Sequence, residues 1–170
     1  MSPDLRRRVL EIYREADREV AAAGPVCIAS GRCCRFKEWG HVLYVSSLEA
    51  DVLLSQAPPY EAPVSPDFCP FQKENLCTAR EPRPLACRVY YCDPNYQEAG
   101  NRITEKHLGK LKELAVEVGA EWRYAPLHVF LNDSFNNHST RIVHEAAGRE
   151  GEAPAEPARQ DRSRISLSLQ

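Results

Sequence analysis

Cys69-Pro-Phe-Gln-Lys-Glu-Asn-Leu-Cys77-Thr-Ala-Arg-Glu-Pro-Arg-Pro-Leu-Ala-Cys87-Arg-Val-Tyr-Tyr-Cys92 carries four thiols in a stretch without helical or strand periodicity. Residues 58–94 hold eight of the thirteen prolines and four of the seven cysteines. Proline fixes its own backbone and removes a hydrogen-bond donor, so long regular elements are not expected there. Such a segment needs something other than an apolar stripe to hold it. Thiols ligating a metal are the first candidate.

Outward from this stretch, the remaining cysteines are Cys27, Cys33 and Cys34, on a segment from Val26 to Cys34 that reads as an irregular loop. The flanking segments are periodic. Ser2 as cap, Pro3 at the first helical position and apolar residues at Leu5, Val9, Ile12, Ala16 and Val20 predict a helix stopped by Gly24-Pro25. Its Arg6, Arg7 and Arg8 read as a solvated first turn rather than a phosphate-binding patch. His41 to Val45 predicts a short strand, and Ser46-Ser-Leu-Glu49 is a capping-box pattern opening a short helix through Leu53 and Leu54. The longest helix is expected over Asn101–Val118, with Ile103, His107, Leu111, Leu114, Ala115 and Val118 inward and Gly119 as its stop. A short strand is expected at Leu127–Leu131. From 148 to 170 the Glu, Pro, Ala, Arg and Ser composition predicts a disordered tail, leaving residues 1–147 as one domain.

The expected architecture is mainly α with a few short strands, α+β being the runner-up: a small helical domain around a metal-stapled, proline-rich irregular centre. Twenty-two basic residues against 24 acidic ones leave a formal charge of -2, too little field to favour nucleic acid or an anionic membrane. No apolar run approaches the ~20 residues of a membrane helix, and no secretory signal is visible. The expected location is cytoplasmic, where thiols stay reduced, and this weakens a disulfide reading of the odd cysteine count.

Thiolates are soft anionic ligands for zinc and iron, and four complete a tetrahedral shell. Seven exceed one mononuclear site, so the set Cys27, Cys33, Cys34, Cys69, Cys77, Cys87 and Cys92 suggests a four-cysteine site plus a three-cysteine one. Adjacent Cys33 and Cys34 are expected to point apart and to serve different centres or different irons. No two cysteines are separated by two residues, which removes the local signature of a thioredoxin-type pair or a zinc ribbon. The Cys87–Cys92 gap occurs in plant-type ferredoxins, but the next required cysteine is Asn95 here.

Two blocks then carry a family resemblance. Cys27-Ile-Ala-Ser-Gly-Arg-Cys33-Cys34 resembles the signature of the YkgJ-like, or CxxCxxCC, cysteine-cluster proteins. Cys69-Pro70, Cys77, Arg83-Pro84, Cys87-Arg88 and Cys92 after two tyrosines are similar to that family's second block in order and spacing. The likeness spans roughly residues 25 to 93. It implies a zinc- or iron-chelating protein, often an iron–sulfur one, with relatives that include flagellin lysine methylase. Ser30 stands where the family has its second cysteine, leaving seven of a nominal eight and implying that one site is lost, weakened or open.

Arg83 and Arg88 match family positions; they could donate to cluster sulfurs, hold an anionic substrate, or pin the cysteine loop to nearby carboxylates and carbonyls. Tyr90 and Tyr91 are expected to pack beside the site. His41 reads as polar surface, His107 as a hydrogen-bonded core imidazole, and His128, His138 and His144 have no supporting pattern. Asp133-Ser134 with His138 is set aside as a hydrolase signal, because such triads are defined by geometry. The leading expectation is a cytoplasmic cysteine-cluster protein binding an iron–sulfur cluster, zinc or both. The alternatives are an iron–sulfur redox or methylase-like group-transfer enzyme with an iron left open at Ser30, and an interaction module with architectural zinc whose tail recruits a protein partner. No glycine-rich nucleotide loop implies any cofactor beyond the metal.

Overall fold

The computed structural model describes residues 1–136, which form one compact unit. The expected domain boundary at 147 and the tail from 148 lie outside the described residues. So do His138 and His144.

The chain opens with helix α1 (Pro3–Ala23). The Ser2 hydroxyl accepts from the Leu5 N–H, and Gly24 closes the helix in the left-handed conformation its missing Cβ permits. Its inward face is Val9, Tyr13, Ala16 and Val20. Asp4 and Glu11 flank Arg7 at 2.6 and 2.7 Å along the helix itself, while Arg8 pairs with Glu117 at 2.5 Å. After a 3-10 turn (Arg32–Cys34) come strand β1 (Tyr44–Ser46) and helix α2 (Ser47–Leu54). Strands β2 (Gln72–Lys73) and β3 (Leu76–Cys77) form a minimal antiparallel hairpin, and α3 (Leu85–Val89) is a single short helix. A second 3-10 turn (Pro94–Tyr96) leads into α4 (Gln97–Glu117), followed by β4 (Tyr124–Pro126) and a helix, α5, described over 127–136. The fold is mainly α, with two two-stranded antiparallel sheets, β1–β4 and β2–β3.

Two apolar cores share α2. The first joins the inward face of α1 to Leu85 and Val89 of α3 and to Ile103, Leu111, Leu114 and Ala115 of α4. The second gathers Phe36, Leu43, Val45, Val64 and Phe71 with Leu127, Phe130 and Leu131 of α5. Helix α2 gives Leu48 and Val52 to the first and Ala50 and Leu53 to the second, which explains why it is apolar nearly all round.

Glu49 ties the cores together. Its Oε2 accepts from the Ser46 N–H at 2.8 Å and the Ser46 hydroxyl at 2.7 Å, while Oε1 accepts from the Leu85 N–H at 2.8 Å. The capping box read from the sequence is complete, and its carboxylate also caps α3.

Two expectations are corrected. Leu127–Leu131 is helical; Leu127, Phe130 and Leu131 recur at three- and four-residue steps and are buried together, while the strand is the preceding Tyr124–Pro126. Val118 is exposed, because α4 ends at Glu117 and Gly119 turns the chain away. The proline-rich middle packs mainly on β1, α2 and α5, while α3 and Tyr91 join the first core. Asn132 of α5 fixes that middle by accepting from the Val64 N–H at 2.7 Å and donating to its carbonyl at 3.2 Å. Asn132→Ala strands both backbone groups and is expected to cost about 1–3 kcal/mol in chemical denaturation, with faster amide exchange at 60–68 as its local sign.

Candidate metal centre

The second core contains a small cavity of about 40 Å³ whose walls include five thiols: Cys33, Cys34, Cys69, Cys77 and Cys87. Four local devices supply them. The turn Arg32–Cys34 supplies two, β3 supplies Cys77 and α3 supplies Cys87. Cys69 is docked by its own backbone, its N–H donating to the Cys34 carbonyl at 2.8 Å. The remaining walls, Leu43, Leu53, Phe71, Ala79, Pro84 and Leu127, are apolar, and Arg83 lines the cavity with them.

All seven cysteines are free, so the residues that clustering in sequence singled out are not paired as cystines. Two stand apart from the cavity. Cys27 is exposed. Cys92 lies with its sulfur 3.7 Å from the Ser30 hydroxyl. Position 30, the serine in the first cysteine block, therefore faces Cys92 rather than the five-thiol cavity.

The expectation that Cys33 and Cys34 point apart is overturned: their sulfurs are 3.8 Å apart. The tight 3-10 turn folds the two side chains toward each other. A tetrahedral shell of ~2.3 Å zinc–sulfur bonds places its sulfurs ~3.8 Å from one another, so this pair has the span of one edge of such a shell. Among the described residues, however, no three or more His, Cys, Asp or Glu side chains are grouped closely enough to hold an ion as they stand. The donor set and the space suit a thiophilic ion, and the full shell requires the thiols to close in on it.

The surroundings of these thiols resist thiolate formation. The hydrogen bond with Cys34, followed by burial, raises the Cys33 thiol strongly. For Cys34 the bond with Cys33 acts downward, but Cys69, burial and the neighbouring thiols outweigh it and push the group up to about 12. Burial holds the Cys87 thiol well above its ordinary range. A cation removes the obstacle common to all three, since it compensates buried negative charge.

Gly31 sets the turn that presents Cys33 and Cys34. It sits at φ 70°, and a Cβ there would come within 2.4 Å of the Gln72 amide nitrogen, which donates to the Gly31 carbonyl, and 3.2 Å of the Asn75 Cα. Gly31→Ala combines backbone strain with loss of that bond. It is expected to destabilise by about 1–3 kcal/mol and to displace the two thiols; unchanged denaturation and unchanged metal uptake by the variant would contradict this placement.

The two arginines of the second block part company. Arg88 is buried and fully engaged: to Asp17 at 2.7 Å, to the Arg83 carbonyl at 2.9 Å, to the Glu81 carbonyl, and across the Tyr13 ring at 4.5 Å. It pins the cysteine loop, as one of the sequence readings had it. Arg83 instead reaches the cavity, and its buried Nε has no hydrogen-bond partner. His41 lies beside the turn, its Nε2 3.4 Å from the Cys33 carbonyl and its ring stacked on Tyr90 at 5.7 Å. His107 is a core imidazole donating to Glu19 at 3.0 Å, and Asp133 pairs with Arg123 at 2.7 Å. Sequence reading missed Tyr13 as a buried organiser and the second role of Glu49 at Leu85; the helical step from Val9 to Tyr13 was the signal for the first.

Comparisons with family models, with curated proteins and with solved structures each return no match. Among the described residues no helix is long and apolar enough to cross a membrane.

Proposed function

We propose that this chain is a metal-binding protein whose centre is the five-thiol cavity, with ligands drawn from Cys33, Cys34, Cys69, Cys77 and Cys87. The observation that carries the reading is convergence: thiols from a turn, a loop, a strand and a helix, spread over more than 50 residues, line a single cavity. The resemblance of residues 25–93 to the cysteine-cluster proteins points the same way. A cavity of about 40 Å³ favours one zinc or iron ion over a larger group. Bound there, the ion would act as a structural staple, joining the hairpin, α3 and the Cys33–Cys34 turn.

A second reading rests on the fifth thiol, one more than a tetrahedral ion uses: an iron–sulfur cluster to which the pocket expands. Cys27 and Cys92 belong to neither shell as they stand, and Ser30 beside Cys92 fits the loss of a second centre. Whether the loaded centre serves catalysis or architecture turns on the group it carries. Metal and acid-labile sulfide analysis after oxygen-free purification separates the readings. Colourless protein with zinc and no sulfide supports the single ion, whereas brown protein with iron and sulfide supports the cluster. Protein purified free of both, and unable to take up either metal on reconstitution, would remove the proposal.

A further inference from the structure

A second, larger cavity of about 380 Å³ lies between the end of α1 and the loop 80–83, and Arg83 lines it as well as the thiol cavity. Its volume lies within the range of small-molecule sites. Arg80, Arg83 and Arg88 line it, against the carboxylates of Asp17 and Glu81. Arg88 is committed to Asp17 and to two carbonyls, which holds it rigid. Among the described residues no ion pair or hydrogen bond engages the guanidinium of Arg80 or of Arg83. Two unengaged forks beside a third, fixed one leave positive charge and planar donor pairs facing one space. The rest of the wall is apolar or aromatic: Val20, Ala21, Pro25 and Tyr91.

Guanidinium forks match the paired oxygens of phosphate and carboxylate groups, and a buried Nε without a partner is a donor waiting for an acceptor. The apolar wall matches a small hydrocarbon body attached to such a head. We infer that this groove binds a small organic molecule with an oxyanion head, a phosphate or a carboxylate, held by Arg80 and Arg83 against the rigid Arg88. Among the described residues Arg83 is the one side chain shared with the thiol cavity, so the anion would sit next to the centre without entering it. This site does not depend on which metal binds, although the loop 80–83 that forms it lies in the segment the proposed metal would hold.

The test uses the full-length protein as purified, with its metal content measured alongside. Phenyl phosphate, benzoate and inorganic phosphate are titrated separately in low-chloride buffer while amide resonances are followed by NMR. Saturable shifts at residues 20–25 and 80–83 with phenyl phosphate or benzoate are expected, the tighter of the two naming the head group. Inorganic phosphate should bind the same amides more weakly, lacking the apolar body. Arg80→Gln should weaken the better ligand by about tenfold or more, with Arg80→Lys in between and metal content unchanged in both. Linear, unsaturating shifts with both aromatic probes, or equal affinity in Arg80→Gln, would overturn the inference. Because Arg80 is exposed and lies outside the thiol cavity, failure here leaves the metal reading untouched.

Discussion

Stripping the proposed metal from the purified protein with a chelator is expected to release the segment 60–95 while α1 and α4 keep their pairing. The second core is where the thiols sit, and the segments that bring them there have little regular structure of their own: a four-residue hairpin and a five-residue helix. Structural zinc supplies an apparent ~10–16 kcal/mol in small domains, comparable to the whole stability of many proteins. The first core is different. It is built from the long amphipathic faces of α1 and α4 and contains no thiol. Hydrogen exchange should therefore show protection lost across 60–95 and retained at Val9–Val20 and Ile103–Ala115. Equal protection in both segments after metal removal would mean that the thiols are packing groups alone.

The second large effect is expected at Glu49. Glu49→Ala leaves the Ser46 N–H, the Ser46 hydroxyl and the Leu85 N–H without acceptors, and both residues are buried. Unpaired buried donors cost about 1–3 kcal/mol each, so a loss of about 3–5 kcal/mol is expected from denaturant midpoints. Glu49→Gln keeps the shape but can accept at only one end, turning an amide N–H₂ toward a donor, and should lie in between.

The same carboxyl gives a pH signature. Burial, outweighing its three hydrogen bonds, raises Glu49 above the ordinary 4.5. The folded chain thus holds this proton more tightly than the unfolded one. Its contribution is complete below the unfolded pKa and declines as pH rises through the folded value. Wild-type stability relative to Glu49→Gln should accordingly fall on going from below 4.5 upward through that window, and a difference that is flat with pH would contradict the assignment.

Much of the helical scaffold was legible because its signals are local. Ser2 and Gly24 bracket α1, the 3.6-residue stripe runs through it, and Ser46 with Glu49 spells the α2 cap within four residues. The errors fall where the deciding partner is remote. Tyr124–Pro126 becomes a strand only because β1, some 80 residues earlier, offers a pairing edge. The five-residue run at Leu127 gave too short a period to tell strand from helix. That Glu49 also caps α3 follows from the meeting of two segments 36 residues apart.

The candidate site shows the same division. Chemistry named the seven thiols, but no spacing could say that Cys27 and Cys92 stay outside the cavity or that neighbouring Cys33 and Cys34 turn toward one another. Nor could it separate Arg88, fixed by Asp17 and two carbonyls, from Arg83, which has none of these bonds. Matching residue types carried the expectation, and only three-dimensional neighbours divide the roles.

X-ray absorption at the edge of the bound metal addresses the claim most directly. The protein as purified should show a first shell dominated by sulfur, at ~2.3 Å for zinc, and Cys34→Ser or Cys87→Ser should lower the sulfur count or empty the site. A shell of nitrogen and oxygen only, or a sulfur shell unchanged in both variants, would mean that the cavity between α2, β3, α3 and α5 is not the metal's seat.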